Sequence, residues 1–419
     1  MRKRTIKMAL LPFGVILSGT IFSQSINSPY SIYGIGDIDR AAVNRTSGMG
    51  GAGLAIPSTS DLLINNNVAS ITGLERSFFV VQLNGAGKFS RYSGTPVTAD
   101  NSNNRDMWIR EASIHVKLNN SWASGVGLKP FSRVSYSLVG SRFIEGTQDS
   151  YATLYEGHGG INEYYWANAF SLGKKFSIGL KTSLLSGAIN QEETLYGNSL
   201  ATTIATKQQD YYSQFRVEAG AIYKTALSKK WDWSIGAKYI PQTRLASERT
   251  LTVEENGTVI VDDELIDRDR FTLPTTAGIG MALVKDKRYT FAADYTYENW
   301  ASLKVNGTGW KYGDSHRWAA GFESVKRNKQ WGKLAESRFF QLGAFYERSS
   351  LIVRSEAIDD MGVTMGYGKR FNNRLAYAIS ATAGVRGTKL NDLIRENYFQ
   401  LTVSFSYRDF LFSKGRQYY

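Results

Sequence analysis

From about residue 77 onward, apolar and polar side chains alternate with a period of two, segment after segment, and no other feature restricts the possible folds as much. Such alternation sends successive side chains to opposite faces of a strand. In the last segment Phe399, Leu401, Val403, Phe405 and Tyr407 fall on one face, and Gln400, Thr402, Ser404 and Ser406 on the other. Trp231, Trp233, Ile235, Ala237 and Tyr239 stand in the same way against Asp232, Ser234, Gly236 and Lys238. The chain is therefore all-β, and its connections decide which all-β fold it adopts.

Those connections alternate as well. Short polar turns are expected at 119–121, 173–175, 228–230, 286–287 and 372–373. Longer polar loops separate them near 91–105, 141–160, 191–209, 246–269, 302–314 and 389–395, and only the stretch near 327–337 breaks the rhythm of short turns. The segments between run approximately over 77–90, 106–118, 122–139, 162–172, 176–190, 210–226, 231–245, 270–284, 288–301, 315–326, 338–352, 359–371, 374–388 and 396–409. An even number of long strands, with short turns at one end and long loops at the other, predicts a transmembrane antiparallel β-barrel of about fourteen strands. A soluble sandwich or propeller would not need strands of this length with aromatic residues at their ends. The expected aromatic girdle comprises Tyr211, Tyr212, Tyr239, Tyr295, Tyr297, Trp300, Trp310, Trp318, Phe339, Tyr346, Phe371, Tyr398 and Tyr407.

Composition narrows the function. The absence of Cys removes disulfide, thiolate and iron–sulfur chemistry, and three His leave little for a histidine-rich site. A hydrophobic fraction of 42% excludes disorder. After the first few dozen residues, no uncharged apolar run reaches the ~20 residues of a membrane helix. The net charge of +13 is spread over turn clusters such as Lys174 and Lys175, Lys229 and Lys230, and Lys326 and Arg327, rather than gathered in one stripe, which argues against nucleic acid as a partner. Residues 1–23 carry Arg2, Lys3, Arg4 and Lys7, then an apolar stretch and small residues, which is the pattern of a secretory signal peptide with cleavage expected before Gln24. Expected domains are thus the signal peptide 1–23, an N-terminal segment 24–76, a barrel 77–409 and a periplasmic tail 410–419.

Residues 24–76 do not follow the strand rhythm and are rich in Gly, Ser and Asn. The runs Ser28-Pro29-Tyr30-Ser31-Ile32-Tyr33-Gly34-Ile35-Gly36-Asp37, Arg45-Thr46-Ser47-Gly48-Met49-Gly50-Gly51-Ala52-Gly53 and Leu63-Ile64-Asn65-Asn66-Asn67-Val68-Ala69-Ser70 resemble the N-terminal hatch of the FadL/TodX outer-membrane transport family, in its Bacteroidota branch. The resemblance implies a hatch inside the lumen of a fourteen-stranded barrel in the bacterial outer membrane, and passage of hydrophobic molecules through a side opening at a kinked third strand. The family's Asn-Pro-Ala turn is here Asn67-Val68-Ala69, so the fixed proline φ is missing and the hatch is held differently. Gly125, Gly127 and Pro130 fall in the expected third strand, where two glycines weaken a ladder and a proline removes a donor. Asn65, Asn66, Asn67, Val68, Gly125, Gly127 and Pro130 are accordingly the candidate gating residues.

Other chemistry finds little footing. A hydrolase would need His115, His158 or His316 as base, yet no Gly-x-Ser-x-Gly elbow exists and Ser315 beside His316 has no evident partner. The acidic stretch Glu254, Glu255, Asp262, Asp263, Glu264, Asp267 and Asp269 lacks EF-hand spacing and reads as a solvated loop. Gly50, Gly51 and Gly53 are not followed by Gly-Lys-Ser/Thr and read as tight packing. No catalytic residue, metal or cofactor is expected. The expected function is a hatch-gated outer-membrane channel with lateral exit for hydrophobic or amphipathic small molecules of the long-chain fatty-acid type. The alternative is a transport-inactive barrel of the same type, acting as a subunit or adapter of an outer-membrane secretion or assembly machine. Expected partners are outer-membrane lipid and lipopolysaccharide, the hydrophobic substrate, and other outer-membrane proteins or lipoproteins.

Overall fold

A computed structural model describes residues 28–40, 43–59, 62–95, 97, 102–143, 150–196, 203–268, 270–330, 333–371 and 374–411. The expected signal peptide and nearly all of the expected tail lie outside the described residues. Fourteen strands close into an antiparallel barrel. They are β1 (Phe78–Gly94), β2 (Asn103–Lys117), β3 (Trp122–Phe143), β4 (Ser150–Leu172), β5 (Phe176–Tyr196), β6 (Thr203–Ala226), β7 (Trp231–Ile240, continued by Thr243–Glu255) and β8 (Thr258–Asp267, Arg270–Leu273 and Thr276–Lys285). The circle continues through β9 (Tyr289–Glu298), β10 (Ser315–Gln330), β11 (Lys333–Arg348), β12 (Asp360–Arg370), β13 (Leu375–Arg386) and β14 (Ile394–Phe410). Pairing of β1 with β14, from Phe78 opposite Phe410 to Gly94 opposite Ile394, closes it.

The barrel is turned inside out relative to a soluble protein. Leu83, Phe89, Phe291, Leu342, Met365 and Phe405 point outward and are exposed, whereas Gln82, Asn84, Glu163, Glu218, Glu323 and Gln341 point inward and are buried. An apolar exterior around a polar interior suits a bilayer, and the barrel is of the outer-membrane type. Because nearly every strand has a neighbour on each side, unfolding must break the ladder cooperatively. In detergent the protein should migrate anomalously on a gel until boiled. Heat-independent mobility together with soluble expression of residues 24–419 would refute the barrel.

Sequence and structure differ at the long-loop end. Strands β3 to β6 run well into the expected loops 141–160 and 191–209. The expected acidic loop 246–269 is instead a projecting hairpin of Thr243–Glu255 and Thr258–Asp267, turned by Asn256 (φ 50°) and Gly257 (φ 80°). An Asn-Gly pair gives the two positive φ angles a two-residue hairpin needs, a signal that the charge of the segment obscured. The expected loop 302–314 supplies Asn306–Gly307 and Trp310–Tyr312 to a small four-stranded sheet with Leu351–Val353 and Glu356–Ala357. Of the expected girdle, Tyr211, Tyr239, Trp318, Tyr346, Phe371 and Tyr407 are exposed, but Tyr212, Trp300 and Phe339 are buried inside. Tyr211 and Tyr212 are neighbours on one strand and so face opposite ways, and Trp300 lies past the end of β9 at the start of a 3-10 turn, so nearness to a strand end did not by itself place a ring outside.

Candidate functional site

Residues 28–74 lie against inward-facing groups of the strands and are largely buried. Short 3-10 turns at Pro29–Ile32, Arg45–Met49 and Val68–Gly73 fold the segment, each opened by a side-chain cap from Ser28, Asn44 or Asn67. Its backbone comes close to the wall: a Cβ on Gly343 of β11 would stand 2.2 Å from the Met49 carbonyl carbon, so only glycine fits there.

Ion pairs fasten the segment to the barrel. Arg45, 4% exposed, sets its Nη2 2.9 Å from Glu323 Oε1 on β10 and its Nη1 2.6 Å from Glu336 Oε2 on β11, with Phe339 beneath the guanidinium at 4.5 Å. Gln341 Nε2 donates to Glu323 at 2.7 Å. Burial pulls the Arg45 pKa down, but the two glutamates outweigh it and the group is held above its ordinary value. Asp37 accepts from Arg386 of β13 at 2.7 and 2.9 Å. Burial works to raise the Asp37 carboxyl, and Arg386 more than offsets it, leaving the group below the usual range. Asp39 pairs with Arg110 of β2, yet burial prevails and its carboxyl is raised. Arg40 reaches Glu298 of β9 at 2.9 Å and Glu347 of β11 at 3.5 Å.

The candidate residues Asn65 to Val68 form one tight turn of this segment. Asn44 Nδ2 donates to Asn65 Oδ1 at 2.6 Å and to Asn66 Oδ1 at 2.5 Å, while Asn65 Nδ2 donates to both Glu111 carboxylate oxygens of β2. Asn67 Nδ2 donates to the carbonyls of Leu54, Ala221 and Ala237 at 3.0, 3.0 and 3.1 Å, so its side chain reaches β6 and β7. Its Oδ1 accepts from Ala69 N at 3.0 Å. Val68 packs with Leu63, Ile71, Val80, Ala123 and Ala169. Val68 stands where a proline would have fixed the turn, and the side-chain cap from Asn67 holds it instead.

Space inside is scarce and charged. Among the described residues, two cavities inside the barrel measure about 200 and 150 Å³, and a third, of about 1030 Å³, is lined by the exposed Phe89, Met361, Val363 and Phe399. Asp37, Arg40, Lys88, Arg110, Glu347 and Arg386 line the first, and Lys129, Glu163, Lys181, Glu218, Lys238 and Asp294 the second. Pockets for drug-sized apolar ligands are larger, about 300–1,000 Å³, and mostly hydrophobic. At the long-loop end the small sheet packs on the segment: Trp310 lies 5.6 Å from the Tyr33 ring, and Tyr312, Leu351 and Val353 join Tyr30, Ile35 and Trp300 in one apolar cluster.

The remaining candidates mark where β3 leaves β2. Pairing runs unbroken from Lys117 opposite Ala123 to Ala112 opposite Leu128, passing through Gly125 and Gly127, and then stops. The two glycines do not loosen this ladder. They make room for rings, since a Cβ there would overlap His115 and Tyr165 respectively. The irregularity lies just beyond, where β3 slips register against β4 between Pro130 and Ser132. The freed edge of β3 is taken by the N-terminal segment, with Asp37 opposite Arg133, Ile38 opposite Ser132, Asp39 N donating to the Phe131 carbonyl at 2.9 Å and Ser28 N to that of Ser135 at 3.4 Å. Arg133 spans from β3 to Asp106 of β2 and stacks 4.1 Å over Trp108. His316 bonds to the Tyr295 hydroxyl at 2.8 Å, outside this seam.

A sequence model of the BamG family matches residues 4–418, almost the full length. The chain belongs to the BamG family. No curated protein matches it. Its fold is similar to those of solved outer-membrane channels: a Pseudomonas aeruginosa FadL homologue (14% identity, TM-score 0.57, covering 88% of this chain and 98% of that one), the Pseudomonas putida toluene transporter TodX (14%, 0.57, 89% and 99%) and the Ralstonia pickettii toluene transporter TbuX (13%, 0.56, 88% and 98%). At such identity the likeness is one of fold, and this BamG family member shares with those channels the barrel architecture that its sequence led one to expect.

Proposed function

We propose that this barrel is a non-conducting subunit or adapter of an outer-membrane protein machine, with residues 28–74 as a fixed plug. The observation that carries this reading is the way the segment is anchored. Arg45, Asp37, Arg40 and Asn67 tie it to β6, β7, β9, β10, β11 and β13, and what space is left is small and charged. An apolar solute crossing there would have to displace paired charges from their partners. Membership of the BamG family supports association with other outer-membrane proteins. Outer-membrane lipid and lipopolysaccharide would surround the apolar exterior.

A second reading, a hatch-gated channel with lateral exit for hydrophobic or amphipathic molecules, is favoured by the bulge after Pro130 and the fold likeness to hydrocarbon channels. Uptake into liposomes separates the two. With the full-length mature protein, entry of a fluorescent long-chain fatty acid and of toluene should not exceed that of protein-free liposomes. Uptake that rises with protein and falls in Pro130→Ala would establish the channel instead.

A further inference from the structure

The seam between β2 and β3 is capped on one edge only. The N-terminal segment pairs with β3, but no described strand pairs with the opposing edge of β2 between residues 103 and 111. Register shows which backbone groups that edge presents. Tyr92 N donates to the Ser102 carbonyl at 2.7 Å, so this opposed pair is hydrogen-bonded. Every second residue of β2 then turns its N–H and C=O toward β1, and the residues between turn theirs away. Arg105, Met107 and Ile109 therefore aim backbone donors and acceptors into the seam. Met107 and Ile109 are also among the most exposed apolar side chains of the wall, at 88% and 65%.

Behind this edge, Asp106 and Trp108 meet Arg133 and close the seam toward the interior. The opening thus faces the lipid and not a passage. Hydrocarbon tails offer no partner for an amide or a carbonyl, and an unpaired edge at bilayer depth is costly. An extended polypeptide offers both groups at the required two-residue spacing.

We propose that the Arg105–Ile109 edge of β2 docks an extended strand of another outer-membrane protein, with apolar residues at alternate positions beside Met107 and Ile109. This rests on the adapter reading and names how a partner would be held. A second copy inserted in the same sense would bring its own Arg105 to the edge, so a different chain fits better.

The test uses the full-length protein in its native outer membrane, with a photo-crosslinking benzoylphenylalanine in place of Met107 or, separately, Ile109. Both probes should join one partner chain, at sites on a single strand. Met107→Pro removes a seam-facing donor without touching the β1 ladder. It should reduce recovery of that partner at least tenfold while leaving the heat-dependent gel shift intact. Crosslinks only to lipid, crosslinks to a second copy, or undiminished recovery with Met107→Pro would overturn the proposal. If the partner persists with Met107→Pro, the adapter reading stands without this edge, and if the parent protein yields no partner at all, the adapter reading itself falls.

Discussion

A variant lacking residues 28–74 but keeping residues 1–27 and all fourteen strands should open large, stepwise ion currents in a planar bilayer where the full chain is silent. A barrel of this strand number is wide enough to leave a lumen once nothing fills it. The deletion removes Asp37, Arg40, Arg45 and Asn67 together, and with them the contacts that block the interior. It leaves Glu323, Glu336, Glu298 and Arg386 facing water, which is a better fate for a charge than burial without a partner. Closure of β1 on β14 does not depend on the segment, since the two pair along the whole of β1, although the deletion also removes the pairing that covers the free edge of β3. If the deletion conducts no better than the parent, the sheet of Trp310–Tyr312 and Leu351–Val353 closes the long-loop mouth unaided and the plug assignment fails.

Arg45→Met should be the most damaging single substitution in the segment. Glu323 is buried and would lose its cation outright, while the half-buried Glu336 would keep only its longer 3.5 Å contact with Arg327. Breaking a buried ion pair from one side costs about 3–5 kcal/mol. The temperature at which the detergent-solubilised barrel loses its compact gel mobility should therefore fall clearly, and adding Glu323→Gln and Glu336→Gln to Arg45→Met should recover part of the loss. A shift worth less than about 1 kcal/mol would mean that water, rather than Arg45, solvates these carboxylates.

The architecture was legible because alternation and turn length both report directly on strands that face lipid on one side. Thus β14, read as 396–409, runs over Ile394–Phe410, and β7 was recognisable from Trp231 onward. The interior was much less legible. Arg45 and Glu323 are 278 residues apart, and nothing local in either stretch announces the pair. The turn Asn67-Val68-Ala69 read as a departure from a familiar one because Val68 replaces its proline, whereas the structure uses the Asn67 side chain as the cap and as a bridge to β6 and β7. Pro130 did mark the irregularity of β3, but Gly125 and Gly127 did not. A glycine that loosens a strand and a glycine that clears a path for His115 or Tyr165 look the same in sequence, and only the ring across the ladder tells them apart.

On the adapter reading, this barrel works by being held to other proteins and not by passing a solute. Purification of the affinity-tagged full chain from its own outer membrane, in mild detergent and followed by native mass spectrometry, tests it most directly. The expected result is a defined complex in which the barrel and one or more other outer-membrane proteins occur in fixed stoichiometry. A lone barrel carrying a hydrophobic small molecule would contradict it.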